Sequence, residues 1–129
     1  MIALDTSAIV ALIRQEPDAA HIESRMSAAS ALLIGRPTEL EVHMVVTGKI
    51  GESAARAAVT RVLSGVQRVD FSGEHVAAAT AAFDRFGKGR HPAALNYGDC
   101  MAYAVARVAG CPLLYKGEDF ARTDIRSAL

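Results

Sequence analysis

The stretch that decides the fold lies in the last third of the chain and reads Asn96-Tyr97-Gly98-Asp99-Cys100-Met101-Ala102-Tyr103-Ala104-Val105-Ala106-Arg107. From Cys100 to Ala109 the only charged residue is Arg107. A helix that is apolar on nearly every face packs inside a domain, so this stretch predicts a buried helix. Asp99 stands at its start, behind Gly98, where a carboxylate faces the partial positive charge of the helix N-terminus. The simplest role for Asp99 is therefore an N-cap.

Short apolar runs alternate with helical patterns along the rest of the chain. The runs predict strands at 1–4, 31–34, 66–71 and 112–115, with a last edge strand around Ile125. Apolar residues at helical spacing predict helices over 8–13, 19–29, 38–48, 52–63 and 73–86. Strands that alternate with helices imply a three-layer α/β sandwich with a mainly parallel central sheet.

Length and composition indicate one domain that spans residues 1–129. Hydrophobic residues make up 51% of the chain and its mean hydropathy is +0.20, which argues against disorder. The two cysteines, Cys100 and Cys111, have neither a metal-ligand nor a redox spacing, as expected of a reduced cytoplasmic protein. The longest early apolar run, Ala8 to Ile13, is too short to span a bilayer, so we expect no membrane association.

The net charge of zero, from 14 basic and 14 acidic residues, does not exclude a nucleic-acid partner. If four acids were gathered around a metal ion, the remaining surface would be basic on balance, because the cation masks the acidic cluster. The composition therefore permits a polyanionic substrate without requiring one.

Acidic residues recur where apolar strands end and helices begin. Asp5 follows the first strand, Glu118 and Asp119 follow the last, and Glu41 lies one turn into a helix. Two of them have a structural explanation of their own: Asp5 fits an N-cap, and Glu41 fits a capping box with Thr38. However, the carboxyl ends of parallel strands share one edge of the sheet, so we expect these acids to converge there with Asp99.

Converging carboxylates indicate a divalent metal site. Like charges at short range repel one another and raise pKa values unless a cation compensates. Hard oxygen ligands without a His or Cys cluster select Mg²⁺, with Mn²⁺ as a substitute. Such an ion suits phosphodiester hydrolysis. The four histidines are scattered and no Gly-rich phosphate loop is present, so no other constellation competes.

Four motifs together resemble the PIN-domain ribonucleases of the VapC toxin type over essentially the whole chain. They are Asp5-Thr6-Ser7-Ala8, Pro37-Thr38-Glu39-Leu40-Glu41, Leu95-Asn96-Tyr97-Gly98-Asp99-Cys100 with Ala102-Tyr103-Ala104, and Lys116-Gly117-Glu118-Asp119-Phe120 with Thr123-Asp124-Ile125. The resemblance implies a Mg²⁺-dependent endoribonuclease that is the toxin of a bacterial toxin–antitoxin pair. It further implies a homodimer inhibited by a small antitoxin whose tail occupies the active-site groove.

The resemblance also implies the site residues. Asp5, Glu41 and Asp99 carry over as the acidic metal-site core, and Asp119 is the fourth acid, with Glu118 as an adjacent competitor. Asp5 and Asp99 would bind the metal directly, Glu41 would be a ligand or a water-orienting base, and Asp119 would support the ion or bind a second one. Further candidates are Thr6 and Asn96 as hydrogen-bond donors to the acids, and Lys88, Arg90, Arg36 and Arg122 as RNA phosphate contacts or solvated surface charges.

Two alternatives remain open at this point. A receiver-like signalling domain has a similar length and alternation, and Lys116 could serve as its late lysine. It also needs an acidic pair after the first strand, whereas Thr6 and Ser7 follow Asp5. The second alternative is a PIN-like module that binds RNA or a protein partner without cutting.

Overall fold

A computed structural model describes all 129 residues and contains one parallel four-stranded sheet. Its strands are β1 (Ile2–Leu4), β2 (Leu32–Gly35), β3 (Gln67–Val69) and β4 (Leu113–Leu114), in the order β3-β2-β1-β4. The helices are α1 (Thr6–Ile13), α2 (Ala19–Ala28), α3 (Arg36–Ile50), α4 (Glu52–Val62), α5 (Gly73–Phe86) and α6 (Tyr97–Ala109), with a 3₁₀ turn at Phe120–Arg122. The predicted fold class is confirmed. None of the helices is long and apolar enough to cross a membrane.

Two hydrophobic clusters lie on the two faces of the sheet. Successive side chains of a strand point to opposite faces. Accordingly, Ala3 and Leu33 join one cluster, with residues of α5 and α6, whereas their neighbours Leu4 and Ile34 join the other, with residues of α1 to α4. The sheet is covered on both sides, which is the usual environment of a parallel sheet.

The central helix α6 is buried as predicted, but it begins earlier than expected. It starts at Tyr97, and Asn96 rather than Asp99 is the N-cap. The Asn96 side chain accepts a hydrogen bond from the Asp99 amide, which adds a turn before the apolar run. Gly110, with φ of +66°, ends the helix in the left-handed conformation.

Helix α3 also differs from the prediction at both ends. It begins at Arg36 directly after β2, so Thr38 and Glu41 lie inside the helix and the predicted capping box is wrong. It continues through Gly48 to Ile50, because an interior glycine costs only about 1 kcal/mol. The chain turns instead at Gly51, whose φ is +86°.

The predicted edge strand around Ile125 is wrong. The tail forms only a single parallel bridge, between Ser127 and Leu113. Side-chain hydrogen bonds, rather than the backbone hydrogen bonds of a strand, hold the residues before it. Thr123 forms hydrogen bonds with the backbone, and Asp124 forms them with side chains of α5 and α6.

Candidate active site

Asp5 lies at the carboxyl end of β1 and caps α1. Its side chain is buried, and Oδ2 accepts hydrogen bonds from the Ser7 amide at 2.9 Å and the Ser7 hydroxyl at 2.6 Å. Burial raises the pKa of Asp5, and the nearby Glu41 charge raises it further, against the opposing effect of the Ser7 hydrogen bonds. The N-cap prediction therefore holds, and the same carboxylate faces other acids.

Ser7 connects two strand ends, a role that the sequence reasoning missed. While donating to Asp5, its hydroxyl oxygen accepts a hydrogen bond from the Lys116 amide at 2.9 Å. Lys116 follows β4 closely, so one hydroxyl ties the acid after β1 to the loop that carries Asp119. The serine at the second position after Asp5 was the only sequence signal for this contact.

Glu41 projects from the second turn of α3 between α1 and α6. The Thr6 hydroxyl donates a hydrogen bond to its Oε1, as predicted for Thr6. Its Oε2 lies against Gly98, where an added Cβ would stand 2.0 Å from that oxygen. A side chain at position 98 would therefore displace the Glu41 carboxylate, so Gly98 provides space for Glu41, which the sequence alone did not indicate.

Asp99 occupies the third position of α6 and forms a reciprocal capping box with Asn96. Its Oδ2 accepts a hydrogen bond from the Asn96 amide at 3.0 Å, so the Asn96 donor predicted from the sequence is its backbone N–H. The pKa of Asp99 is raised to about 6, first by burial and then by the charges of Asp5, Asp119 and Glu41. All four predicted acids are thus within electrostatic reach at one edge of the sheet.

Asp119 is exposed at the start of the 3₁₀ turn, and its side chain makes no hydrogen bond. Its charge contributes to the raised pKa of Asp99. Asp119 is therefore close enough to the cluster to act on it electrostatically.

The donor set fits a hard divalent cation. The cluster contains carboxylates only, and two of them have raised pKa values, a cost that a bound cation would relieve. No three Asp, Glu, His or Cys side chains are arranged to ligate one ion together. Mg²⁺ is commonly held by one or two carboxylates and several waters, so a complete protein ligand set is not needed.

The four predicted RNA-contacting cations lie on the surface and are mostly engaged within the chain. Arg36 pairs with Glu39 and Asp70, Arg90 donates to a backbone carbonyl, and Arg122 donates to another. Lys88 is exposed.

An apolar face adjoins the acidic cluster. A groove of about 320 Å³ between α3 and α6 is lined in part by Glu41 and Gly98, and it meets a second groove against α5 at Tyr97 and Met101. Five large side chains are exposed along these two grooves, and we call them the apolar face: Leu40, Met44, Val76, Phe83 and Tyr97. Exposed apolar clusters of this kind mark interaction surfaces.

Comparison with known proteins identifies the family. A family model described as PIN domain matches residues 2–126. The chain belongs to the PIN-domain family. Within it, Ribonuclease VapC30 of Mycobacterium tuberculosis is 42% identical over 123 residues, covering 95% of this chain and 94% of the relative. Ribonuclease VapC of Mycolicibacterium smegmatis is 40% identical over 123 residues, covering 95% of each chain. The predicted VapC-type PIN ribonuclease is confirmed, and the receiver-like alternative is wrong.

Solved structures of PIN-domain toxins share the fold. Mycobacterium tuberculosis VapC20, titled a Sarcin-Ricin loop cleaving toxin, superposes with a TM-score of 0.78 at 19% identity, covering 97% of this chain and 96% of that one. VapBC from Salmonella typhimurium, bound to DNA, gives a TM-score of 0.79 at 19% identity, covering 98% and 95%. The parallel sheet and its helices are therefore those of the VapC fold.

Proposed function

We propose that this PIN-domain ribonuclease hydrolyses RNA phosphodiester bonds with a Mg²⁺ ion held by Asp5 and Asp99, and that Mn²⁺ can replace Mg²⁺. The observation that carries the proposal is the convergence of four carboxylates from four separate parts of the chain, with the pKa of Asp99 raised to about 6. Grouped carboxylates destabilise one another unless they have a ligand to bind.

Each acid has a distinct role in the proposed site. When bound, the ion supplies an acidified water and offsets negative charge on the phosphate oxygens. Asp5 is held in place by Ser7, and Asp99 by the Asn96 amide. Glu41 uses one oxygen for the Thr6 hydroxyl and keeps the other to orient a water and accept its proton. Asp119, free of hydrogen bonds and exposed, supports the ion from the solvent side.

The biological role proposed is that of the toxin in a toxin–antitoxin pair. It rests on relatives named VapC ribonucleases and on structural neighbours titled as VapBC or toxin–antitoxin complexes. We propose that the tail of a small antitoxin covers the four carboxylates, next to the apolar face, and that the protein acts on RNA in the cytoplasm. The match over residues 2–126 supports one domain across 1–129.

A homodimer is proposed through the apolar face. Its five exposed side chains lie on three helices next to the active-site edge, where a second copy would cover them. Met44→Glu should give a monomer in analytical ultracentrifugation, whereas Glu52→Gln, on the exposed start of α4, should not. A wild-type chain that sediments as a monomer would contradict the proposal.

The test of the main proposal is a cleavage assay with metal titration. Wild-type protein, stripped of metal with EDTA, should cut a mixed RNA substrate only when Mg²⁺ or Mn²⁺ is restored. Asp99→Asn should remove cleavage and leave the fold intact, and Glu52→Gln should cut like the wild type. RNA binding without any cleavage at saturating Mn²⁺ would favour the non-catalytic alternative, and cleavage in EDTA would refute the metal requirement.

A further inference from the structure

The chain segment that carries Asp119 is attached to α6 through Asp124. The Tyr103 hydroxyl donates a hydrogen bond to Asp124 Oδ1 at 2.6 Å. Arg107 and Arg85 donate to Asp124 Oδ2 at 2.9 and 3.2 Å. We call these four residues the Asp124 clamp. It joins the C-terminal segment to both α5 and α6.

The clamp lies on the same stripe of α6 as Asp99. Asp99, Tyr103 and Arg107 follow one another at intervals of one helical turn, so their side chains share a face. Asp119 is near Asp99, and Asp124 contacts Tyr103 and Arg107. The C-terminal segment therefore runs alongside α6, with Asp119 near Asp99 and Asp124 bonded to Tyr103 and Arg107.

Nothing in the side chain of Asp119 itself holds it beside Asp99, since that side chain makes no hydrogen bond and is exposed. Its position depends on the backbone of its segment. Phe120 is buried against Tyr115, with ring centroids 5.1 Å apart, and the Thr123 hydroxyl donates to the Phe120 carbonyl at 2.7 Å. Beyond Thr123, the next attachment is Asp124.

We propose that Asp124 is a positioning residue, which holds the segment so that Asp119 faces Asp99. This inference rests on the proposed function, in which Asp119 supports the metal ion. Exposed ion pairs contribute little by themselves, but here a buried tyrosine and two guanidinium groups converge on one carboxylate, which fixes its place. Loss of the clamp would let the segment shift and would weaken the metal site through Asp119.

The test is a double-mutant cycle read by Mn²⁺ affinity, with free Mn²⁺ measured by electron paramagnetic resonance. Asp119→Asn should weaken binding about 10-fold, the range found for groups that support metal ligands. Asp124→Asn should weaken it several-fold, and the double variant should bind no more weakly than Asp119→Asn alone, because both changes act through one group. Tyr103→Phe, which removes one donor, should show the same pattern with a smaller loss.

The controls separate positioning from general loss of stability. Ile22→Val destabilises the opposite core cluster and should leave Mn²⁺ affinity unchanged. If Asp124→Asn and Asp119→Asn weaken binding independently, or if either has no effect, the positioning role is refuted. Asp99→Asn distinguishes the two hypotheses: loss of Mn²⁺ binding in this variant keeps the proposed metal site even when the positioning role fails, whereas wild-type affinity would refute the site itself.

Discussion

Replacing Asp99 with asparagine should stabilise the metal-free protein near neutral pH. The carboxylate is partly buried among Asp5, Glu41 and Asp119, and this environment raises its pKa to about 6. Asparagine is nearly isosteric and can still accept the hydrogen bond from the Asn96 amide. It carries no charge, so the substitution removes the cost of ionising Asp99 in this environment.

The size of the effect follows from the pKa. A rise from 3.8 to about 6 corresponds to about 3 kcal/mol at full strength, and solvent screening of this partly exposed group reduces it to about 1–2 kcal/mol. The variant also loses the attraction between the carboxylate and the helix N-terminus, which reduces this gain in stability by about 0.3–1 kcal/mol. The net gain is about 1 kcal/mol, or about 3–5 °C in Tm for a domain of this size.

The direction of the pKa shift determines how the stability difference between the two proteins changes with pH. Between pH 4 and pH 6 the folded wild type binds more protons at Asp99 than the unfolded chain does, so its stability falls as the pH rises through this window. The variant lacks this loss, so its advantage should be absent at pH 3.5 and fully developed by pH 7.

Thermal unfolding followed by circular dichroism, in EDTA at several pH values, measures this difference. Asp70→Asn is the matched control, because its side chain is 95% exposed and should show no such pH-dependent gain. Addition of Mn²⁺ should raise the Tm of the wild type and not that of Asp99→Asn. An Asp99→Asn protein that is less stable at pH 7, or a difference that does not change with pH, would refute the reasoning.

Four further predictions concern the same edge of the sheet. Gly98→Ala should lower kcat about 100-fold with little change in Tm, because the added Cβ displaces the Glu41 carboxylate; wild-type turnover of a fluorogenic RNA would contradict this. Thr6→Val removes the donor to Glu41 and should reduce activity about 10- to 100-fold in the same assay, whereas an unchanged rate would show that the contact is dispensable. Ser7→Ala should lower the free energy of unfolding by about 1.5–3 kcal/mol in urea titrations, since the buried Asp5 carboxylate loses a hydroxyl donor; a change within error would contradict the bridging role. Activity with Mg²⁺ should rise from pH 5 to pH 7, because the pKa of Asp99 is raised to about 6 and this carboxylate must ionise to bind the cation; a flat profile would count against Asp99 as a ligand.

The sequence predicted the architecture because its strongest signals are local. Short apolar runs bounded by turn residues marked the strands, and the almost uncharged run after Asp99 marked the buried helix. The convergence of the acids also followed from a general rule, that the carboxyl ends of parallel strands share an edge.

What could not be predicted depends on contacts between distant parts of the chain. The need for glycine at position 98 arises only because Glu41 approaches it in space, and the bridging role of Ser7 depends on the backbone after β4. The Thr38 capping box failed for a different reason: Pro37 stands in the first turn of the helix, where proline is favoured, so the helix begins at Arg36, ahead of the capping pattern.

The strand order has a consequence for synthesis of the protein on the ribosome. β1 is made first, yet it lies between β2 and β4, and its pairing with β4 waits for residues 113–114. Asp119 emerges later still. A nascent chain therefore holds no complete set of acids until residue 119 has emerged, so hydrolytic capacity can arise only after all four strands of the sheet have been made on the RNA-rich ribosome.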